Sequence, residues 1–265
     1  MKKQNSNSTA DLRSASHNFA AVLLFVIAAI TLAACSTATK PAETKAPETN
    51  KASTNNAANS SSTSKTGGDL AGTYTVNGTG PDGKSYDGEM VVTKRDAVYQ
   101  MSWKTGDDSY DGVALQSGNT IAAAYSTGTD GKGCGAIVYK VNADGSLDGT
   151  WGEWGVNSSG NEKAIPEGGS KDGTGAFTAT GINADGSPYK GKLNITKGGS
   201  DVYQFAWSTG NNYIGTGIRM GDYLAAGSGA KQCGFVIYEA KGDTLEGKWG
   251  VPGSTSLGTE KAIKK

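Results

Sequence analysis

The chain has 265 residues, 40 of them glycine and only 6 proline, with Lys+Arg and Asp+Glu at 25 each and a formal net charge of zero. A balance of this kind offers no basic footprint for nucleic acid. The only histidine is His17, so a product that loses residues 1–34 has none; histidine acid–base catalysis, Ser-His-Asp and Cys-His nucleophile pairs and His-liganded metals are then excluded.

Residues 1–18 are polar, with Lys2, Lys3 and Arg13 as the cations. An apolar run from Phe19 to Ala34 follows and ends in small residues, which reads as a secretion signal rather than a membrane span. Leu32-Ala33-Ala34-Cys35 resembles the bacterial lipobox. The resemblance implies cleavage after Ala34 and a lipid-bearing Cys35, whose acyl chains, such as palmitate, anchor the chain to a membrane. By resemblance to the Gram-negative sorting rule, Ser36 leans toward the outer membrane or cell surface. Removing residues 1–34 takes away Lys2, Lys3, Arg13 and Asp11 and leaves 22 cationic and 24 anionic side chains.

After Cys35, the tether over 35–68 carries no aromatic side chain and is built from Ser, Thr, Ala, Asn, Lys, Glu, Pro and Gly. Such a segment buries too little apolar surface to offset its ordering entropy and is expected to be a disordered tether. As a coil it spans about 30 Å.

The remainder repeats itself, copy one over 69–165 and copy two over 173–265. Val98-Tyr-Gln-Met-Ser-Trp103 returns as Val202-Tyr-Gln-Phe-Ala-Trp207, and Cys134-Gly-Ala-Ile-Val-Tyr139 as Cys233-Gly-Phe-Val-Ile-Tyr238. Leu147-Asp-Gly-Thr-Trp-Gly152 returns as Leu245-Glu-Gly-Lys-Trp-Gly250, and Glu162-Lys-Ala-Ile165 as Glu260-Lys-Ala-Ile263. Within each copy the apolar period is two. Tyr86, Gly88, Met90 and Val92 share one face against Asp87, Glu89 and Thr93, and Tyr99, Met101 and Trp103 line up likewise. Copy one is expected to form strands near 71–78, 86–93, 98–104, 109–115, 120–126, 134–141, 147–152 and 161–165, separated by turns such as Asp144-Gly145. The fold class is therefore all-β: two tandem antiparallel meanders, each copy expected to close into a small barrel, since closure removes free strand edges, with a pair of flattened barrels or sandwiches as the alternative.

The aromatic set Tyr74, Tyr86, Tyr99, Trp103, Tyr110, Tyr139 and Trp151, with counterparts Phe177, Tyr189, Tyr203, Trp207, Tyr213, Tyr238 and Trp249, faces inward. An eight-stranded barrel is just wide enough for side chains to fill, so a packed core is expected, with Gly88, Gly112 and Gly149 making room for rings; a ligand cavity is the alternative. Asp87 becomes Lys190, Glu89 becomes Lys192 and Asp107-Asp108 become Asn211-Asn212, which reads as solvated surface rather than a carboxylate dyad or metal cage. Asn142-Ala-Asp-Gly-Ser146 recurs as Asn183-Ala-Asp-Gly-Ser187 and is expected to form hairpin turns rather than calcium loops. Glu162 and Glu260 are acidic residues kept in both copies and are taken as structural. Cys134 and Cys233 occupy matching places; they are either a bridge between the copies or two small buried residues.

Leu70-Ala-Gly-Thr-Tyr-Thr-Val-Asn-Gly, Pro81-Asp-Gly-Lys-Ser-Tyr-Asp-Gly88, Tyr110-Asp-Gly112 and Leu147-Asp-Gly-Thr-Trp151 resemble a group of bacterial secreted β-repeat proteins often labelled fibronectin-binding. The opening Gly-Thr-Tyr strand and late Gly-x-Trp step are also loosely similar to avidin-like and lipocalin-like barrels. The expectation is a membrane-anchored, non-enzymatic binding protein without cofactor or metal, whose partner is a matrix protein such as fibronectin. A small-ligand carrier using the barrel interior and a structural or stress lipoprotein of the envelope are the alternatives.

Overall fold

The computed structural model describes residues 68–127, 130–168, 171–199, 201–229 and 233–265. The signal peptide, Ala34, Cys35 and all but the last residue of the tether lie outside the described residues.

Among the described residues the body is sixteen strands. Copy one supplies β1 (Gly72–Thr79), β2 (Ser85–Arg95), β3 (Val98–Thr105), β4 (Asp108–Ser117), β5 (Thr120–Thr127), β6 (Cys134–Val141), β7 (Leu147–Glu153) and β8 (Gly160–Pro166). Copy two supplies β9 (Gly175–Ile182), β10 (Pro188–Lys197), β11 (Val202–Ser208), β12 (Asn212–Met220), β13 (Tyr223–Gly229), β14 (Gly234–Lys241), β15 (Thr244–Gly250) and β16 (Gly258–Lys264). All pairings are antiparallel, and they form two closed eight-stranded barrels, as the alternation implies.

The repeats are not the barrels. The expectation that 69–165 and 173–265 each close on themselves is corrected by the pairing. The first barrel is β1–β5 completed by β14–β16, with β5 bonded to β14 and β16 to β1. The second is drawn from one continuous stretch, residues 134–229, in the order β6–β13, with β6 bonded to β13. One barrel is thus inserted between the fifth and sixth strands of the other. The physical reason is that β6 and β14 carry equivalent sequences, so β5 finds the same partner face on either.

Glycine allows the crossing. A Cβ on Gly229 would lie 1.8 Å from the Gly133 carbonyl oxygen, which is backbone and cannot swing away. At the same neck Cys134 and Cys233 form a disulfide, with their Cα atoms 5.8 Å apart.

Three apolar clusters hold the body. Met90, Met101, Val76, Leu245 and Tyr238 fill the first barrel, and Phe177, Phe205, Leu193, Ile195 and Leu147 fill the second. The third lies between them: Val113, Leu115, Ala122 and Ala124 meet Ala136, Val138, Ile218, Phe235 and Ile237. This explains the run Ile121-Ala-Ala-Ala124, which does not alternate. Ile121 and Ala123 point into the first barrel while Ala122 and Ala124 point at the second, so both faces are buried.

Gly149 makes room for a ring as expected, since a Cβ there would lie 2.5 Å from Tyr139. Gly88 and Gly112 do not; their Cβ atoms would meet the backbone oxygens of Lys104 and Ala124, at 2.1 and 2.4 Å. Gly88→Ala therefore forces β2 away from β3 and is expected to cost about 1–3 kcal/mol, read as a fall in thermal midpoint. An unchanged midpoint would contradict this close approach.

Candidate functional site

In the first barrel Tyr74 and Tyr99 lie at one end, beside Asp69 and Leu70, and Tyr86, Trp103 and Tyr110 line a cavity at the other. The first end is plugged. Leu70 is buried there, and the Tyr74 hydroxyl donates to the Leu70 carbonyl at 2.7 Å. Burial and the carboxylates of Asp243 and Asp69 push the Tyr74 hydroxyl up to about 12. The other end is a cup of about 450 Å³, walled by Tyr86, Trp103, Tyr110, Tyr125, Tyr238 and Trp249. The second barrel is filled by Phe177, Ile195 and Leu224 and opens into a cup of about 440 Å³ walled by Trp151, Trp154, Tyr189, Trp207 and Tyr213. The aromatic set thus divides: part is packed core, as expected, and part lines a cavity.

A buried glutamate sits in the wall of each cup, Glu260 in the first and Glu162 in the second, 8% and 4% exposed. Glu260 is gripped by three donors. Tyr86 Oη donates to Oε2 at 2.9 Å, Trp103 Nε1 to Oε1 at 3.1 Å, and the Tyr238 hydroxyl also to Oε1. Glu162 accepts from the Tyr139 hydroxyl and, at 2.9 Å, from Tyr189. Its tryptophans stand one bond further out: Trp207 Nε1 donates to Tyr139 Oη at 3.0 Å and Trp151 Nε1 to Tyr189 Oη at 3.2 Å. Among the described residues neither glutamate has a Lys or Arg partner; the ion pairs lie on the surface, such as Lys163–Asp148 and Lys261–Glu246.

These networks cross the copies. Glu260, Tyr238 and Trp249 come from copy two, whereas Tyr86, Trp103 and Tyr125 come from copy one. The second cup reverses the contributions. Neither copy alone carries a complete site.

Burial lifts the hydroxyls of Tyr238 and Tyr139 well above the usual phenol range, and the adjoining carboxylates lift them further. They therefore remain protonated donors. Burial also raises the Glu260 carboxyl, more than its three donors lower it. The folded chain then holds that proton to a higher pH than the unfolded chain. The stability this group contributes is fully present below its unfolded value and is lost as pH rises through the raised folded one. Glu260→Gln removes this loss, so the gap between wild type and variant in urea unfolding should shift against wild type as pH rises across that window. A gap independent of pH would contradict the burial of this charge.

Asn142–Ser146 and Asn183–Ser187 are the turns of the β6–β7 and β9–β10 hairpins, each with its Asp accepting from the following Ser. No group of three metal-ligating side chains gathers among the described residues. Tyr125 was not singled out by the repeat because its register counterpart is Ser228: Gly234 pairs with Tyr125 as Gly135 pairs with Ser228. Glu162 and Glu260 left a signal, retention of an acid in both copies, but part of each grip comes from the other copy: Tyr189 for Glu162, Tyr86 and Trp103 for Glu260. No protein-family model, no curated protein and no solved structure matches this chain.

Proposed function

We propose that the chain is a lipid-anchored binding protein of the cell envelope, tethered through Cys35, whose two barrels each take a small ligand in the aromatic cup. The observation that carries this reading is a barrel interior that is plugged at one end and left open at the other, with a donor-gripped glutamate in the wall. Cups of about 440–450 Å³ fall within the usual range for small-molecule sites, which combine apolar and aromatic walls with a few fixed polar groups. The hydroxyls are held protonated and the barrels lack histidine, which favours holding a ligand over transforming it. Native mass spectrometry of the full chain after incubation with a bacterial metabolite extract tests the idea. Up to two small-molecule adducts per chain are expected, with a change in tryptophan fluorescence because Trp103 and Trp207 wall the cups. A chain that emerges unliganded with unchanged fluorescence would count against it.

Binding of a matrix protein such as fibronectin, implied by the family resemblance, is the second reading. Closed barrels offer no free strand edge to a protein partner, so contact would fall on an outer face, where Ile214 is 76% exposed. Surface plasmon resonance of the full chain on immobilised fibronectin separates the two readings. Saturable binding that Ile214→Ser abolishes supports the matrix reading; absence of signal at micromolar concentration removes it.

A further inference from the structure

We infer that the cup of the first barrel, and more weakly that of the second, binds a small alkylated ammonium cation. This rests on the small-ligand reading and adds the charge and shape of the ligand.

The walls point that way first. Tyr86 and Trp249 are inclined at 72° with centroids 6.1 Å apart, Trp103 and Tyr125 at 54° and 5.8 Å, and Tyr110 and Tyr125 at 84° and 5.7 Å. All five of these rings line the cup. Aromatic faces are the negative side of the ring quadrupole, and a box of them suits a cation whose alkyl groups leave it weakly hydrated.

The charge of the lining points the same way. In the first cup, among the described residues, the acids are Asp82, Asp108 and Glu260, and the cation Lys84 is paired with Asp82 at 3.0 Å. In the second, among the described residues, the acids are Glu153 and Glu162 and the lining holds no Lys or Arg. An anionic ligand would meet net negative walls in both. A neutral one would leave a buried carboxylate without counter-charge, a costly arrangement. Glu260 also has acceptor capacity left: Oε1 takes two hydrogen bonds and Oε2 the one from Tyr86. A metal ion is a poor fit, because the side chains around the glutamate are rings and hydroxyl donors rather than further oxygen ligands.

The two cups are not equal. Tyr125 belongs to two of the three inclined pairs, and Ser228 stands in its place in the second barrel. There Trp207 stacks on Phe205 at 13° and Phe205 on Tyr139 at 9°, so those rings pack on one another.

Isothermal titration of the full chain with choline and with its uncharged carbon isostere, dimethylbutanol, tests the inference. Choline should bind at least about tenfold more tightly. Glu260→Gln and Tyr125→Ser should each weaken choline by about tenfold, and Glu260→Gln, which removes the unpaired carboxylate, should not weaken dimethylbutanol. Tyr125→Ser installs the residue that the second barrel carries at the equivalent register position, and an unchanged far-ultraviolet spectrum checks that the variant is folded. Equal affinity for both probes overturns the cation while leaving the small-ligand reading intact. Failure of choline to bind while metabolite adducts are still seen does the same. Failure of both probes, with no adducts, overturns both readings.

Discussion

Reducing the Cys134–Cys233 disulfide should lower the free energy of unfolding of the full chain by about 4–5 kcal/mol, the chain-entropy value for a closed loop of about 100 residues. The loop it closes is the whole second barrel, and the bond sits where the chain leaves the first barrel and where it returns. That value requires the two barrels to unfold together. If the first unfolds alone, the second still holds its own ends side by side, because Cys134 and Gly229 are partners across the β6–β13 ladder. The bond then closes nothing that pairing has not already closed. Urea titrations with and without reductant decide between these cases. A single transition shifted by several kcal/mol marks the barrels as one cooperative unit, bound by the apolar layer between them. A difference below about 1 kcal/mol would refute the concerted picture and mark the second barrel as an independent unit.

The other large effect concerns Glu260. Glu260→Ala leaves the Tyr238 hydroxyl, the Trp103 indole and the Tyr86 hydroxyl without their acceptor. Each orphaned buried donor costs about 1–3 kcal/mol. The low end applies because the cup can admit water, which gives about 3 kcal/mol for the three. Relief from burying an unneutralised carboxylate acts in the opposite sense, but its three donors already recover part of that cost. Glu162→Ala should cost less, since only Tyr139 and Tyr189 donate to it directly and Trp207 keeps its bond to the Tyr139 oxygen. Urea midpoints for the two variants test the order. A Glu260→Ala chain as stable as wild type would show that the network contributes nothing net.

Much of this fold is legible in the chain. Tyr99, Met101 and Trp103 alternate with polar residues, and all three are buried in the first barrel; Tyr203, Phe205 and Trp207, alternating with Gln204 and Ala206, are buried in the second. The hairpin turns fall where Asp-Gly and Pro-Asp-Gly place them. The pairing of the copies is not legible for a thermodynamic reason. Duplication makes β6 and β14 near-equivalent partners for β5, and alternation specifies which face is buried but not which copy supplies the neighbour. A clue existed in Ile121-Ala-Ala-Ala124, whose small apolar residues on both faces mark a strand covered on both sides. The cups were hidden for the same reason. Glu260 looks isolated at the end of copy two until Tyr86 and Trp103 are brought to it from more than 150 residues away. Tyr125 was invisible to the repeat because copy two lacks it.

The insertion of one barrel inside the other sets an order of assembly. As the polypeptide is made or exported from its N-terminus, the segment from Cys134 to Gly229 has every neighbour it requires as soon as it has emerged. The five strands ahead of it do not: β1 and β5 stay bare until residues 234–264 arrive. The earliest part of the body is therefore the last to finish, and it waits as a sheet with two unpaired sides, the form most prone to recruit a strand from another molecule. A chain cut after residue 232 would keep one intact barrel and leave the other permanently unsealed.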